Sequence, residues 1–475
     1  MTHNGSRPKV LLVSVRSLDE ALTQAILADS IAACVDLVVA GHESHKDAFG
    51  DVTFVALPED KLANMHSALV DAVKKHNPQL ILAPRTLYLE AYCLSEAFSL
   101  PIAFLCRVPV APTASYMDPL WRASCCRLPI GFLNRASFQA VPFAVHNILK
   151  QHAPLVDSFR KLLALPPVTS RLGLLGQVYL KNVPSLCLWS PTLVPVHDLP
   201  SVFEVVGPSL PPSAVCSGPT KKFCTEKPNN LPVFLGFGKE PLSDAFRRII
   251  ETTIEELLVR GKRVMFQPGS SEQFIKSKTI LTSSNFLIVD YEPHRILFPL
   301  CSCVVHHAGP EISHVAVLSG CPSVPVPMGY EQMFFAHRLV ECGAARTQHR
   351  FQDSNSFSLL HAILDTVRDT SLQTAALQRE LQRELDQPRA AEAVLRIVER
   401  GWTVHSLSSS FVDTLRHCKS LLAALGMLLV LSAFVSWWIL HVVSWATATL
   451  FRAASAAFAQ IGVNLAIRLK APGFE

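Results

Sequence analysis

Hydrophobic positions along the first hundred residues come in short apolar runs separated by longer amphipathic stretches. Lys9–Val15, Val35–Ala40, Phe54–Leu57, Leu80–Ala83 and Ile102–Leu105 have the length and continuity of strands buried on both faces. Between them, apolar residues recur at helical spacing. One helix is expected to start near Ser17 and Glu20, which have capping-box spacing, and to run to about Ala33. Others are expected over Leu62–His76 and Glu90–Phe98. Alternating strand and helix implies parallel strands joined by crossover helices, hence a doubly wound α/β sheet. Residues 106–180 are less regular and rich in Pro, Phe and Leu.

The stretch Gly207–Asn230 breaks this pattern. It holds Pro208, Pro211, Pro212, Pro219 and Pro228 among Ser, Gly and Lys, and reads as a linker. The alternation then restarts. Strands are expected over Pro232–Phe237, Arg263–Gln267, Phe286–Val289, Val304–His307 and Ser323–Pro327. Helices are expected over Ser243–Arg260, Ile312–Ser319 and Gln332–Cys342. Two such halves imply two Rossmann-like domains, 8–206 and 231–370, joined by the linker 207–230. Ligands of open α/β sheets bind at the carboxyl ends of the strands, so a cleft between two facing sheets is the expected site. A charged helical segment over 371–400, broken near Pro388, reads as a solvated surface helix.

The C-terminal region differs from all of this. No Asp, Glu, Lys or Arg occurs in the 32 residues between Lys419 and Arg452, and Leu421–Leu440 is almost wholly apolar. Twenty helical residues cover about 30 Å, the thickness of a bilayer core. A transmembrane helix over 420–441 is therefore expected. Trp437, Trp438 and Trp445 would lie at its far interface, and 442–475 would be a membrane-associated tail. The polar stretch Met1–Lys9 followed by only six apolar residues does not read as a signal peptide, so the α/β domains are expected in the cytosol.

Composition narrows the possibilities further. Hydrophobic residues are 49% and charged residues 17%, which excludes global disorder. The net charge of +5 is spread thinly, without a basic block among aromatics, so nucleic acid is not an expected partner. The 13 cysteines follow no framework spacing and are expected as free thiols. Cys301, Cys303, His306 and His307 lie close in sequence. Three of them fall on one apolar strand without zinc-type spacing, so no metal site is expected there.

The segment Tyr291–His307 resembles the entry to the donor site in the sterol glucosyltransferases, through Pro293, His294, Leu297, Phe298 and the pair His306-His307. Gly309, Gly320–Pro322, Pro325, Pro327 and Glu331-Gln332 keep that family's spacing. Phe234–Gly238 resembles the start of its second domain. Leu188–Pro191 with Val194-Pro195 and Asp198 resembles the end of its first, and Val108-Pro109 with Pro112-Thr113 a segment of its acceptor domain. The resemblance covers roughly residues 8–400. It implies the GT-B arrangement of two facing Rossmann-like domains, the first for acceptor and the second for donor. It also implies inverting transfer of a hexose from a UDP-sugar to a sterol or other lipid hydroxyl, without a metal or other cofactor. The absence of any Asp-x-Asp pair agrees with this.

Without a metal, a leaving diphosphate needs other positive potential. The turn Ala308–Ile312 at a helix N-terminus can supply it. By resemblance His307 contacts the donor phosphate, Glu331 and Gln332 hydrogen-bond sugar hydroxyls, and Gly238, His294, Gly309 and Ser313 line the donor site. Two loops depart from the family. The loop Ser14–Glu20 has no glycine, and Asp19 is the nearest candidate base. The phosphate turn reads Ala308–Ser313 where the family favours Gly-Gly-Ala-Gly-Thr-Thr, which places Glu311 beside the phosphate. Lys239 stands where the family often has Ser and is expected to pair with Glu311. These departures keep a second reading open, a glycosyltransferase fold that has lost catalysis and serves as a binding or regulatory module. A third is the same fold with a different donor.

Deletion of residues 418–475 is expected to move the protein from the membrane pellet to the high-speed supernatant, because burial of a helix this apolar contributes tens of kcal/mol at about 25 cal/mol per Å². Continued pelleting in carbonate would reveal another anchor.

Overall fold

The structure, a computed structural model, describes residues 7–14, 18–121, 127–144, 146–168, 174, 183–211, 215–238, 242–269, 275–290, 292–349, 355–369, 373–385, 389–403, 426–427, 431–432 and 435–438. The chain divides into two compact units, Met1–Asp413 and Thr414–Glu475.

The first unit is built on two sheets. β1 (Lys9–Ser14), β2 (Asp36–His42), β3 (Thr53–Leu57), β4 (Leu80–Pro84), β5 (Ile102–Cys106), β6 (Ser185–Cys187) and β7 (Phe203–Val205) form the first, in the order β3-β2-β1-β4-β5-β6-β7. β8 (Val233–Gly236), β9 (Val264–Gln267), β10 (Phe286–Ile288), β11 (Cys303–His306) and β12 (Ser323–Pro325) form the second, in the order β10-β9-β8-β11-β12. Every pairing in both sheets is parallel. Each sheet turns back on itself at its first strand, so β1 lies beside β4 and β8 beside β11, and these are the switch points.

The strands are apolar because both faces are covered. Val10, Leu12 and Val39 pack under helix Leu18–Ile31, while Leu11, Val13 and Val38 face the core that holds Leu69, Val70 and Val73 of helix Leu62–His76. In the second sheet Val233, Leu235, Val264 and Phe266 pack against Phe246, Ile250, Ile254 and Leu257 of helix Asp244–Val259. The core on the other face continues from Leu11 in the first sheet to Phe234 and Val304 in the second, so the two domains share apolar packing.

Most of the expected strands and helices are present, with ends shifted by a few residues. The structure differs most from the sequence expectation in four places. Helices Gly131–Ala144 and His146–Leu162 occupy the irregular region, and the short strands β6 and β7 extend the first sheet. Helix Ser356–Arg368, capped by Asn355, packs Leu359, Leu360 and Ile363 beneath the second sheet. Within the Pro-rich stretch 207–230, helix Gly218–Thr225 is capped by Ser217 and buries Phe223 and Cys224, while Ser217 and Thr220 hold Glu292.

The fourth difference is the charged segment after residue 371, which is not a solvated surface helix. It consists of Thr374–Leu385, with Leu381 fully buried, and Arg389–Arg400, which returns to the first domain. There Ala393, Val394 and Ile397 join the core of Val10, Ala21, Ala25 and Ala28, and Arg396 pairs with Glu204 at the end of the first sheet. Charge on the outer face of a helix does not reveal that its Ala/Val/Ile face has a partner.

Of the second unit, Gly426-Met427, Leu431-Ser432 and Val435–Trp438 are described, all helical and exposed. The remainder of the expected membrane helix 420–441 and the tail 442–475 lie outside the described residues. Among the described residues no helix is long and apolar enough to cross a membrane.

Ile397→Ala is expected to lower stability by about 2–4 kcal/mol, since it opens a cavity between the last helix and the first sheet. Glu204→Gln, which weakens a pairing whose arginines, Arg396 and Arg400, are exposed, is expected to cost less, about 1 kcal/mol. Urea titration of both variants checks the contrast.

Candidate active site

The carboxyl ends of both sheets meet across a cleft inside the first unit, and the second domain supplies its histidines. β11 ends at His306 beside Gly236, the last residue of β8. His306 is fully buried, and its Nδ1 accepts a hydrogen bond from the backbone N–H of Ala308, 3.1 Å away. That bond accompanies a left-handed backbone at Ala308, φ 59°, a conformation that costs a residue with a Cβ about 1–2 kcal/mol. The sharp turn then leads into helix Pro310–Ser319, whose first turn faces the strand ends.

The His307 ring lies between two glycines. A Cβ on Gly309 would come within 2.6 Å of its Nε2, and one on Gly238, where φ is +60°, would come 3.4 Å from its Cε1. The positive φ favours glycine at Gly238, and at Gly309 a side chain would push the imidazole aside. Among the described residues neither His307 Nδ1 nor Ser313 Oγ, in the helix's first turns, has a hydrogen-bond partner. His294 lies close by, stacked on Phe298 with ring centroids 4.8 Å apart. Its Nε2–H donates to Gln267 Oε1 at 3.0 Å, and the Gln267 amide nitrogen donates to Asp290 O. Burial holds His294, His307 and His314 at about 4 and His306 at about 3, so all four are neutral near pH 7.

The carboxylates have partners that the sequence did not indicate. Glu311 accepts a hydrogen bond from Thr23 Oγ1 at 2.8 Å and lies 3.6 Å from Arg107 Nη1. Glu331 lies 2.9 Å from Arg107 Nη2. Burial pushes the Glu331 carboxyl up, and Arg107 opposes that shift. Glu20 is close enough to act on both Arg107 and Glu331. One guanidinium thus stands among three carboxylates. Gln332 Oε1 accepts from the N–H groups of Met328 and Gly329, at 2.8 and 3.0 Å, and so caps its own helix, Tyr330–Glu341.

Lys239, the expected partner of Glu311, lies outside the described residues. Asp19 is in the first turn of helix Leu18–Ile31, and its side chain is not among those described. Gly238, His307, Gly309, Glu311 and Ser313 gather at the turn after β11. His294 neighbours His307, and Arg107 ties Glu331 to Glu311.

Arg107, Thr23 and Glu20 were missed, although each left a trace in the sequence. Arg107 directly follows β5, at the strand end where parallel sheets place ligand-binding residues. Glu20, Thr23 and Gln24 form a polar stripe at helical spacing among apolar residues, and all three are buried.

Other contacts fix the two domains in register. His314 Nδ1–H donates to Pro310 O at 2.6 Å, and its Nε2 accepts from Ser190 N–H at 3.0 Å. Glu384 receives hydrogen bonds from Ser190 and from Thr192, and Arg338 Nε donates to Leu193 O at 2.8 Å. Asp198 accepts from Thr113, from Ala114 N–H at 2.8 Å and from Arg135. Within the first domain, the segment around Thr113 and the segment that ends at Asp198 therefore meet.

A family model for the C-terminal domain of erythromycin biosynthesis protein CIII-like proteins matches residues 275–400. Sterol 3-beta-glucosyltransferase UGT80A2 of Arabidopsis thaliana is 27% identical over 278 residues, 56% of this chain and 41% of that protein. UGT80B1 of the same plant, another sterol 3-beta-glucosyltransferase, is 28% identical over 254 residues, 53% and 39% of the two chains. The matches thus span about two fifths of these relatives. Among solved structures, a glycosyltransferase of kitacinnamycin superposes with a TM-score of 0.61 at 18% identity, over 82% of this chain and 100% of that one. The glycosyltransferase VinC, solved in complex with dTDP, gives 0.57 at 16% identity over 82% and 100%. These likenesses show the fold expected from the sequence, two α/β domains in the GT-B arrangement.

His294, His306, His307 and His314 contribute an acid sensitivity. Each has a folded value below the ordinary 6.5, so the neutral form is favoured in the native state. Their contribution to stability is complete above pH 6.5 and is lost as the pH falls through about 4. Over that range His314→Gln is expected to take up about one proton fewer on unfolding than wild type. Urea midpoints measured at successive pH values give this number from the slope.

Proposed function

We propose that this chain, a glycosyltransferase of the sterol glucosyltransferase type, moves a hexose from a UDP-sugar to the hydroxyl of a sterol or another lipid. The observation that carries the proposal is His307, a neutral imidazole held between Gly238 and Gly309 at the N-terminus of helix Pro310–Ser319, its Nδ1 without a protein partner among the described residues. A neutral histidine donates one hydrogen bond to a diphosphate oxygen without needing a proton from solvent. The helix adds backbone N–H groups and the positive end of its dipole. Together they stabilise the charge that develops on the leaving UDP, the task a metal performs in other sites.

In this reading Glu331, at the start of helix Tyr330–Glu341, hydrogen-bonds hydroxyls of the donor sugar. The acceptor hydroxyl enters from the first domain and attacks the anomeric carbon from the face opposite the diphosphate. The bond to the diphosphate oxygen breaks, the anomeric configuration inverts, and the hydroxyl proton passes to a carboxylate on helix Leu18–Ile31. Asp19 is the candidate from the resemblance, and Glu20 is the neighbouring acid whose charge reaches the cleft. A lipid acceptor fits an enzyme anchored by its C-terminal apolar segment, with its α/β domains in the cytosol.

A specific observation favours a second reading, a binding or regulatory module with impaired catalysis. Glu311 places a carboxylate at the N-terminus of the phosphate helix, where an incoming diphosphate would meet like charge.

Incubation of the purified protein with radiolabelled UDP-sugars and a membrane lipid extract is expected to yield a labelled lipid. His307→Ala is expected to lower kcat by about 100-fold. Absence of labelled lipid and of donor hydrolysis in the folded protein would replace the enzyme reading with the second one.

A further inference from the structure

The first turn of helix Pro310–Ser319 already holds an anion, the chain's own Glu311. Its carboxylate accepts from Thr23 Oγ1 at 2.8 Å and faces Arg107 Nη1 at 3.6 Å. The same guanidinium reaches Glu331 through Nη2 at 2.9 Å. Thr23 and Arg107 belong to the first domain, Glu311 and Glu331 to the second, so all three contacts cross the cleft. Helix dipole and guanidinium both favour a single negative group at this point, and a phosphate suits the guanidinium fork as well as a carboxylate does.

We propose that Glu311 is a built-in competitor for the donor diphosphate, and that Arg107 is the shared counter-charge that passes from Glu311 to the diphosphate when donor binds. This rests on the donor-site reading above and adds an arginine from the first domain to the diphosphate contacts. A carboxylate and a diphosphate exclude one another there, because both need the same helix end and the same guanidinium. Displacing Glu311 also breaks its bond to Thr23 and loosens the hold of Arg107 on Glu331, which frees Glu331 for sugar hydroxyls. Donor binding and release of the cross-domain contacts are therefore linked, each favouring the other.

Titration calorimetry on the full chain, with UDP and with uridine, tests this in wild type, Glu311→Gln, Thr23→Val, Arg107→Gln and the Glu311→Gln/Arg107→Gln double variant. Glu311→Gln is expected to tighten UDP by about tenfold while leaving uridine unchanged. Thr23→Val should act in the same direction, and less than additively with Glu311→Gln, since both work through one carboxylate. Arg107→Gln should weaken UDP and cancel the gain of Glu311→Gln in the double variant. UDP bound by wild type but no more tightly by Glu311→Gln overturns the competition and leaves the donor-site reading standing. Equal tightening of UDP and uridine overturns it too, as a general loosening of the cleft. UDP affinity unchanged by Arg107→Gln in the Glu311→Gln background overturns the role of Arg107. No UDP binding by any of these variants, each folded by circular dichroism, overturns both this inference and the donor-site reading.

Discussion

Strand direction is the constraint on which the rest of the structure depends. All the strands of each sheet run parallel, so each connection between neighbours must cross over the sheet, and the covered strands become apolar throughout. The turns that follow the strands then gather at one edge of each sheet. Ser14, Arg107, Gly238, His307 and Glu331 are far apart in sequence, yet each lies at or shortly after the carboxyl end of a strand. The cleft takes its polar residues from those ends, while the strands behind them form the core.

Parallel packing also sets the electrostatics of the site. The histidines at the end of β11 and in the helices beside it are withdrawn from water, which keeps them neutral and makes them donors and acceptors of fixed sense. His314 illustrates this, donating from Nδ1 within its own helix and accepting at Nε2 from the other domain. Among the described residues the charged groups at the cleft are acidic in excess, and Arg107 holds two of the carboxylates. One guanidinium, one helix end and neutral imidazoles thus stand together there among the described residues.

The two domains are fixed to each other at several points around this site. Ser190 and Thr192, just beyond β6, bind Glu384 and His314, and the last helix of the unit returns to the first sheet through Val394 and Ile397. The chain therefore crosses between domains at the Pro-rich stretch and again after Leu385. Two crossings restrict relative motion more than a single linker does, because each fixes one end of the second domain.

Local pattern in the sequence determined the alternation of strand and helix, the two-domain division, and most strand positions, because burial on both faces requires apolar runs of strand length. The motifs that resemble the sterol glucosyltransferases located the turn after β11 and the residues around it. Pairing lay beyond that reach. Thr23 and Glu311 are separated by 288 positions and meet only because two sheets face each other. The charged face of Arg389–Arg400 suggested a solvated helix, but the first sheet offered a partner for its apolar face. Composition over 207–230 suggested a plain linker, yet Phe223 and Cys224 found a core to enter. Periodicity records which side of an element is turned from water, and only the tertiary structure decides what meets that side.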